Sequence, residues 1–121
     1  MNRSFFVAGV QFRPSSVKTV IAGLTKGQYL YLEPEPDNKF DPNAVKIICS
    51  GLKEGDEDVF LGYVPKKFSS EISAALEIDA DIECIIEAVN PGAKTWEMLQ
   101  VVIRDIEDED EEEDDNEDSI L

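Results

Sequence analysis

The chain has 121 residues, 27 acidic and 11 basic, for a net charge of −16, and it contains no histidine. That length suits one domain, since autonomous domains typically run to ~100–150 residues. The missing histidine excludes Ser-His-Asp and Cys-His nucleophilic sites, histidine zinc ligation and histidine proton shuttles, while Cys49 and Cys84 lack CxxC spacing and are too few for a zinc knuckle.

Residues 5–13 are apolar, β-branched and aromatic, which predicts a first strand broken by Pro14, Ser15 and Ser16. The base ahead of this run is only faintly like a signal peptide, because the apolar stretch stops at Gln11 and Arg13 with no cleavage pattern. Ser16 is placed to cap a short helix over 17–24, where Val17, Val20, Ile21 and Leu24 share one face, and Gly27 offers a left-handed end. Residues 28–33 alternate Tyr29 and Tyr31 against Leu30 and Leu32, a second strand. Residues 33–42 hold three prolines and read as a loop. Strands are expected over 44–49 and 59–64, around a polar loop containing Gly51 and Gly55. Pro65 opens a helix whose Phe68, Ile72, Ala75 and Leu76 form one apolar face. Two further strands, 82–89 and 95–106, flank the turn signal Asn90-Pro91-Gly92.

Six short strands with one or two small helices predict a mainly β (α+β) domain over residues 1–106, a small and strongly curved barrel. No apolar stretch approaches the ~20 residues needed to cross a bilayer. Both cysteines sit in apolar strand-like runs and read as buried reduced thiols, so the chain is expected to be cytoplasmic, with no membrane partner and no cofactor.

Two separated stretches carry a recognisable pattern. One is Leu32-Glu33-Pro34-Glu35-Pro36-Asp37-Asn38-Lys39-Phe40-Asp41-Pro42-Asn43-Ala44-Val45, and the other is Gly62-Tyr63-Val64-Pro65. With the opening Gly9-Val10-Gln11-Phe12, they resemble the HIRAN domain family over about residues 5–105. The resemblance implies an OB-like β-barrel that binds DNA. In its best-understood members the domain sits beside a helicase-like motor and captures the 3′ end of single-stranded DNA. With no room here for a motor, the chain resembles the stand-alone bacterial or phage type.

The same resemblance nominates site residues, each with a structural reading beside it. Phe12 matches an aromatic that stacks on a terminal base, or it is a core residue of the first strand. Gln11 falls where members tend to carry arginine and Arg13 where they carry a second aromatic; either the cation has moved two places along one strand face, or the site has decayed. Asn38, Asp41 and Asn43 form the loop signature. Asp41 would accept the 3′-hydroxyl proton and repel a terminal phosphate, or, like Asn43, it would fix the loop by bonding local backbone. Phe40 is expected to wedge against the barrel. Tyr63 matches a position lining the DNA groove, and Lys66 and Lys67 bring cations to a helix start where phosphate binds well, or are solvated lysines beside Glu71. Trp96 is either an exposed stacking platform or core. Glu33 and Glu35 lack the partner groups for acid–base chemistry, so no enzyme is expected.

The charge divides unevenly. Residues 107–118 hold eleven acids and no base, whereas residues 1–106 hold 16 acids and all 11 bases, a net −5. Residues 107–121 are expected to be a disordered acidic tail, because they have too few apolar side chains to offset chain entropy. Three roles stay open: a self-inhibitory DNA mimic, a lure for a basic protein partner, or a solubility device. Two functions follow from different classes. One is a non-enzymatic module for single-stranded DNA or DNA 3′ ends, modulated by the tail. The other is a protein–protein interaction factor, viral in kind, whose acidic surface occupies a host nucleic-acid-binding protein. Whichever holds, residues 1–106 should fold without the tail. A circular-dichroism melt of the truncated chain should match or exceed the full chain, and marked destabilisation would contradict this.

Overall fold

A computed structural model describes residues 1–51 and 55–106. Six strands form one antiparallel sheet: β1 (Asn2–Phe6), β2 (Tyr29–Pro34), β3 (Val45–Cys49), β4 (Val59–Tyr63), β5 (Ile82–Val89) and β6 (Leu99–Asp105), in spatial order β1-β6-β5-β2-β3-β4. Side chains alternate across the pleat, so Val45, Ile47 and Cys49 of β3 and Val101 and Ile103 of β6 point inward. They join Phe5, Val7, Leu30, Leu61, Cys84, Ile86 and Leu99 in one core. Both cysteines are free and buried, and burial pushes the Cys84 thiol up to about 12. Register shifts between Ile47 and Ile48 and between Ile86 and Ala88 mark bulges, which bend and twist the strands that carry them.

That curl brings the sheet's two edges together at one residue pair. Ala8, just past β1, exchanges both backbone hydrogen bonds with Tyr63 at the end of β4, each at 2.8 Å. This seam partly closes the barrel. Gly62 makes the approach possible: a Cβ there would lie 2.5 Å from the Ala8 carbonyl oxygen and 2.7 Å from Val7 Cγ1. Helix α1 (Ser15–Ala22) packs beside β4 through Val17 and Ile21, and α2 (Lys66–Glu77) lies against β3 through Ile72. No described helix is long and apolar enough to cross a membrane.

The N-terminal reading needs correction. The first strand does not run over 5–13; it ends at Phe6, and the chain turns at Gly9 (φ +78°) into a short 3-10 helix, Val10–Phe12. Glycine takes that left-handed conformation without a Cβ penalty, so the strand stops before Pro14 is reached. Gln11 and Arg13 therefore do not share a strand face. Helix α1 starts two residues earlier than expected, after Pro14 and without a side-chain cap from Ser16. It stops at Ala22, and Gly27 serves the turn into β2 rather than the helix end, donating its N–H to the Ile86 carbonyl at 2.8 Å. The last strand likewise begins at Leu99, because Thr95–Glu97 form a second 3-10 turn. The remaining strands and α2 fall within two residues of expectation. The acidic tail, residues 107–121, lies outside the described residues.

Candidate nucleic-acid interface

The proline-rich loop between β2 and β3 is closed at its base by Glu35 N–H donating to the Ala44 carbonyl, 2.8 Å, which extends the ladder of the two strands. Asn38 shapes its interior. The Asn38 Oδ1 accepts the N–H groups of Phe40 and Asp41 at 2.8 and 3.0 Å, an Asx turn that fixes the tip. Its Nδ2 donates to Glu35 Oε1 at 2.8 Å and approaches the Tyr63 hydroxyl at 3.4 Å. Tyr63 donates its own hydroxyl to Glu35 Oε1 at 2.7 Å, and Lys46 Nζ stands 3.7 Å from Glu35 Oε2. The Asn38 and Tyr63 donors, assisted by Lys46, hold the Glu35 carboxyl below its ordinary range; burial and that carboxylate raise the Tyr63 phenol. Tyr63 thus remains a protonated donor, clamped between loop and seam.

Asp41 performs both of the jobs that its type allows locally. Its Oδ1 accepts the Asn43 N–H at 2.9 Å, and its Oδ2 accepts the Ser69 hydroxyl of α2 at 2.7 Å. The Ser69 oxygen also lies 3.0 Å from the Lys66 carbonyl; one O–H serves one acceptor at a time, and the carboxylate is the stronger. These donors, Ser69 first, lower the Asp41 carboxyl below its ordinary value, so it is ionised at neutral pH. A carboxylate has about four lone-pair sites, so two remain for a ligand.

Loop, seam and helix start border an open cleft of about 280 Å³ lined by Gly9, Asn38, Phe40, Asp41, Tyr63 and Lys66, together with Ala8, Ala44 and Val64. Phe40 is 87% exposed, not wedged against the barrel, because the Asx turn at Asn38 lifts it to the tip. Phe12 is 81% exposed, which removes the core reading for it. It sits in the 3-10 helix that follows Gly9, donating its N–H to the Gly9 carbonyl at 3.0 Å. Gln11 is exposed beside it.

The other nominated residues divide. Lys66 lines the cleft, but Lys67 turns away, its Nζ 5.1 Å over the Phe68 ring. Glu71 pairs with Arg3, not with either lysine. The Arg13 guanidinium carbon stands over Phe60, 3.9 Å from the ring centroid, with Nε donating to the Phe60 carbonyl. Phe60 meets Tyr63 edge-on at 5.1 Å, so Arg13 backs the cleft from behind one ring. Asn43 is exposed at the loop exit and contributes its backbone N–H. Glu35, Lys46, Phe60 and Ser69 were not nominated. Ser69 left a signal in the sequence: with Ile72 and Leu76 it shares a core-facing stripe of α2, and a serine 2% exposed on such a face needs a polar partner.

The HIRAN domain matches this chain over residues 2–101. The chain belongs to the HIRAN domain family, a family known for DNA binding. Its fold is similar to the crystal structure of the HIRAN domain of human HLTF, with a TM-score of 0.58 at 16% identity over 84% of this chain and 72% of that one. It is also similar to a crystal structure of a protein from Lactobacillus plantarum, with a TM-score of 0.64 at 14% identity over 85% and 95% of the two chains. No curated protein matches it. Of the residues that carry the family resemblance, Gly9, Asn38, Phe40, Asp41 and Tyr63 line this cleft, whereas Phe12 and Asn43 lie outside its lining.

Proposed function

We propose that this HIRAN domain is a non-enzymatic module that captures single-stranded DNA by its 3′ end, modulated by its acidic tail. The observation that carries the reading is the pair of solvent-exposed phenylalanines, Phe12 and Phe40, beside a cleft that presents Asp41, Tyr63 and Lys66. Leaving two large rings in water forfeits burial energy, whereas stacking a base on such a ring stabilises by about 1–3 kcal/mol without demanding sequence. Lys66 supplies a cation for phosphate, and the ionised Asp41 favours a hydroxyl over a phosphate at the terminus.

The charge balance limits the strength of the grip. Few cations converge on the cleft, the body carries −5, and the eleven tail carboxylates compete for the same face at high effective concentration. Fluorescence anisotropy with a labelled single strand should therefore show weak binding at physiological salt that tightens as salt is lowered, with a log–log slope of about −0.7 per phosphate contact. Phe12→Ala and Phe40→Ala should each weaken it about tenfold while leaving the circular-dichroism melt unchanged, since neither ring is packed. Salt-insensitive tight binding would contradict the electrostatic part. No binding at low salt would favour the alternative, a protein–protein factor whose acidic surface imitates DNA.

A further inference from the structure

Phe12, Phe40 and the half-exposed Trp96 lie in turns, whereas Tyr29 and Tyr31 stand in mid-sheet on β2, 64% and 61% exposed. Their strand is flanked on both sides, by β5 and β3, so no sheet edge accounts for them. Alternation sends Leu30 to the core and both tyrosines to the outer face. Across the ladders, Tyr29 lies opposite Ile85, Ile85 opposite Val102, and Tyr31 opposite Ile48. None of these five side chains belongs to the core, so they form an apolar stripe over four strands on the outside of the sheet. A solvated sheet face is ordinarily polar, and a continuous apolar stripe on one marks an interaction surface.

The stripe runs into an open groove of about 500 Å³ lined by Tyr31, Leu32, Glu33, Ile48, Ser50 and Asp58. The charges in that lining are two carboxylates and no cation. The Glu33 carboxylate has no partner among the described residues, and Asp58 gives Oδ1 to the Gly51 N–H at 3.3 Å. Lys46, opposite Glu33 in the ladder, turns instead to Glu35 Oε2 at 3.7 Å and to the Phe60 ring, which Arg13 also covers. Farther along the face, Arg104 is held by Glu83 at 3.0 Å. The cations of this face are therefore taken up, and the groove stays negative.

Such a groove repels a nucleic-acid strand and suits a cation carried on an apolar segment. A guanidinium matches it more closely than an ammonium, because its planar fork pairs with carboxylates while its face lies against an aromatic ring. We infer that the outer face of β2, β3 and β5 docks an arginine-bearing segment of a protein partner. The guanidinium enters the groove beside Tyr31, Glu33 and Asp58, and neighbouring apolar residues of the partner cover Tyr29 and Ile85. No residue that lines the DNA cleft also lines this groove, so the docking does not rest on the end-binding reading.

A heteronuclear NMR titration of the full chain tests this, since it separates the face from the acidic tail residue by residue. The probe is the blocked peptide acetyl-Gly-Leu-Arg-Leu-Gly-amide, and its controls carry lysine or neutral citrulline in place of the arginine. The arginine peptide should shift the amide signals of Tyr31, Ile48 and Asp58 saturably, with the citrulline peptide about fivefold weaker and the lysine peptide between the two. Tyr31→Ala and Glu33→Gln should each weaken the arginine peptide about threefold or more, with Tyr31→Phe close to wild type. All three variants should melt as wild type does, because both side chains are exposed. Shifts confined to residues 107–118, equal binding of the arginine and citrulline peptides, or no shift at all would overturn the docking site. So would saturable shifts of the same amides with single-stranded oligothymidylate, or with protein concentration alone, which would give this face to DNA or to a second copy of the chain.

Discussion

Gly62→Ala should destabilise this protein strongly. The added Cβ would sit 2.5 Å from the Ala8 carbonyl oxygen and 2.7 Å from Val7 Cγ1, with Val10 Cγ2 at 3.4 Å. The first of these is backbone, and moving it breaks the paired Ala8–Tyr63 hydrogen bonds that join the sheet's edges. Overpacking a tight site costs about 1–3 kcal/mol, and losing the two seam bonds raises the expected total to roughly 3 kcal/mol or more. For a domain of this size that lowers the melting temperature by about 15 °C. Gly92→Ala is the matched control, since a Cβ there meets nothing within 4 Å and the backbone needs no left-handed conformation. Equal melting temperatures for the two variants would refute the role given to the seam. Because Tyr63 is both seam and cleft, Gly62→Ala should also weaken any DNA binding.

Asp41→Ala should separate recognition from folding. The carboxylate ties the loop to α2 through Ser69, yet the Ser69 hydroxyl has a second acceptor in the Lys66 carbonyl, and the Asn43 N–H is open to water. Neither partner is orphaned, so the stability loss should be about 1 kcal/mol. Recognition should suffer more. Removing the charge-assisted bond to a 3′-hydroxyl, together with the repulsion of a 3′-phosphate, should cut the preference between those ends at least about tenfold. The pH dependence has a definite sign. Asp41 is held below its ordinary 3.8 in the folded protein, so its contribution is fully present above that value and is lost as pH falls through the folded pKa. Wild type and Asp41→Ala should therefore differ in stability by a constant amount from pH 5 to 8 and converge only in stronger acid. Chemical denaturation at several pH values checks the first claim, and competition between the two ends checks the second. A large loss of stability with an unchanged end preference would make Asp41 a structural residue only.

The sheet was largely legible in the sequence because its strands alternate. Tyr29-Leu30-Tyr31-Leu32 and Val45-Lys46-Ile47-Ile48-Cys49 each present one inward row, and a period of two has one burial solution per register. Helix α2 was legible from Phe68, Ile72, Ala75 and Leu76 for the corresponding reason at a period near 3.6. The seam was not legible. Ala8 and Tyr63 are far apart in sequence, and what lets them meet is a missing side chain at Gly62. Composition left Phe12 undecided and misled at Phe40, since a ring destined for water and a ring destined for the core are the same residue; turn geometry at Gly9 and Asn38 decides between them. The residues of the loop signature were legible as a set through the family resemblance, but their division of labour was not. Asn38 shapes the loop, Asp41 joins it to α2, and Asn43 is held by its backbone, and these depend on distances that spacing does not encode.

The central claim is that the cleft at the seam recognises a free 3′ terminus, and its most direct test is an anisotropy competition on the wild-type chain. Three unlabelled competitors of one sequence, a single strand ending in a 3′-hydroxyl, the same strand ending in a 3′-phosphate, and its blunt duplex, displace a common labelled strand at low salt. The 3′-hydroxyl strand should compete at least about tenfold better than the 3′-phosphate strand, with the blunt duplex weaker than the hydroxyl strand. Equal competition by all three would contradict end recognition and leave only nonspecific attraction to the phosphate backbone.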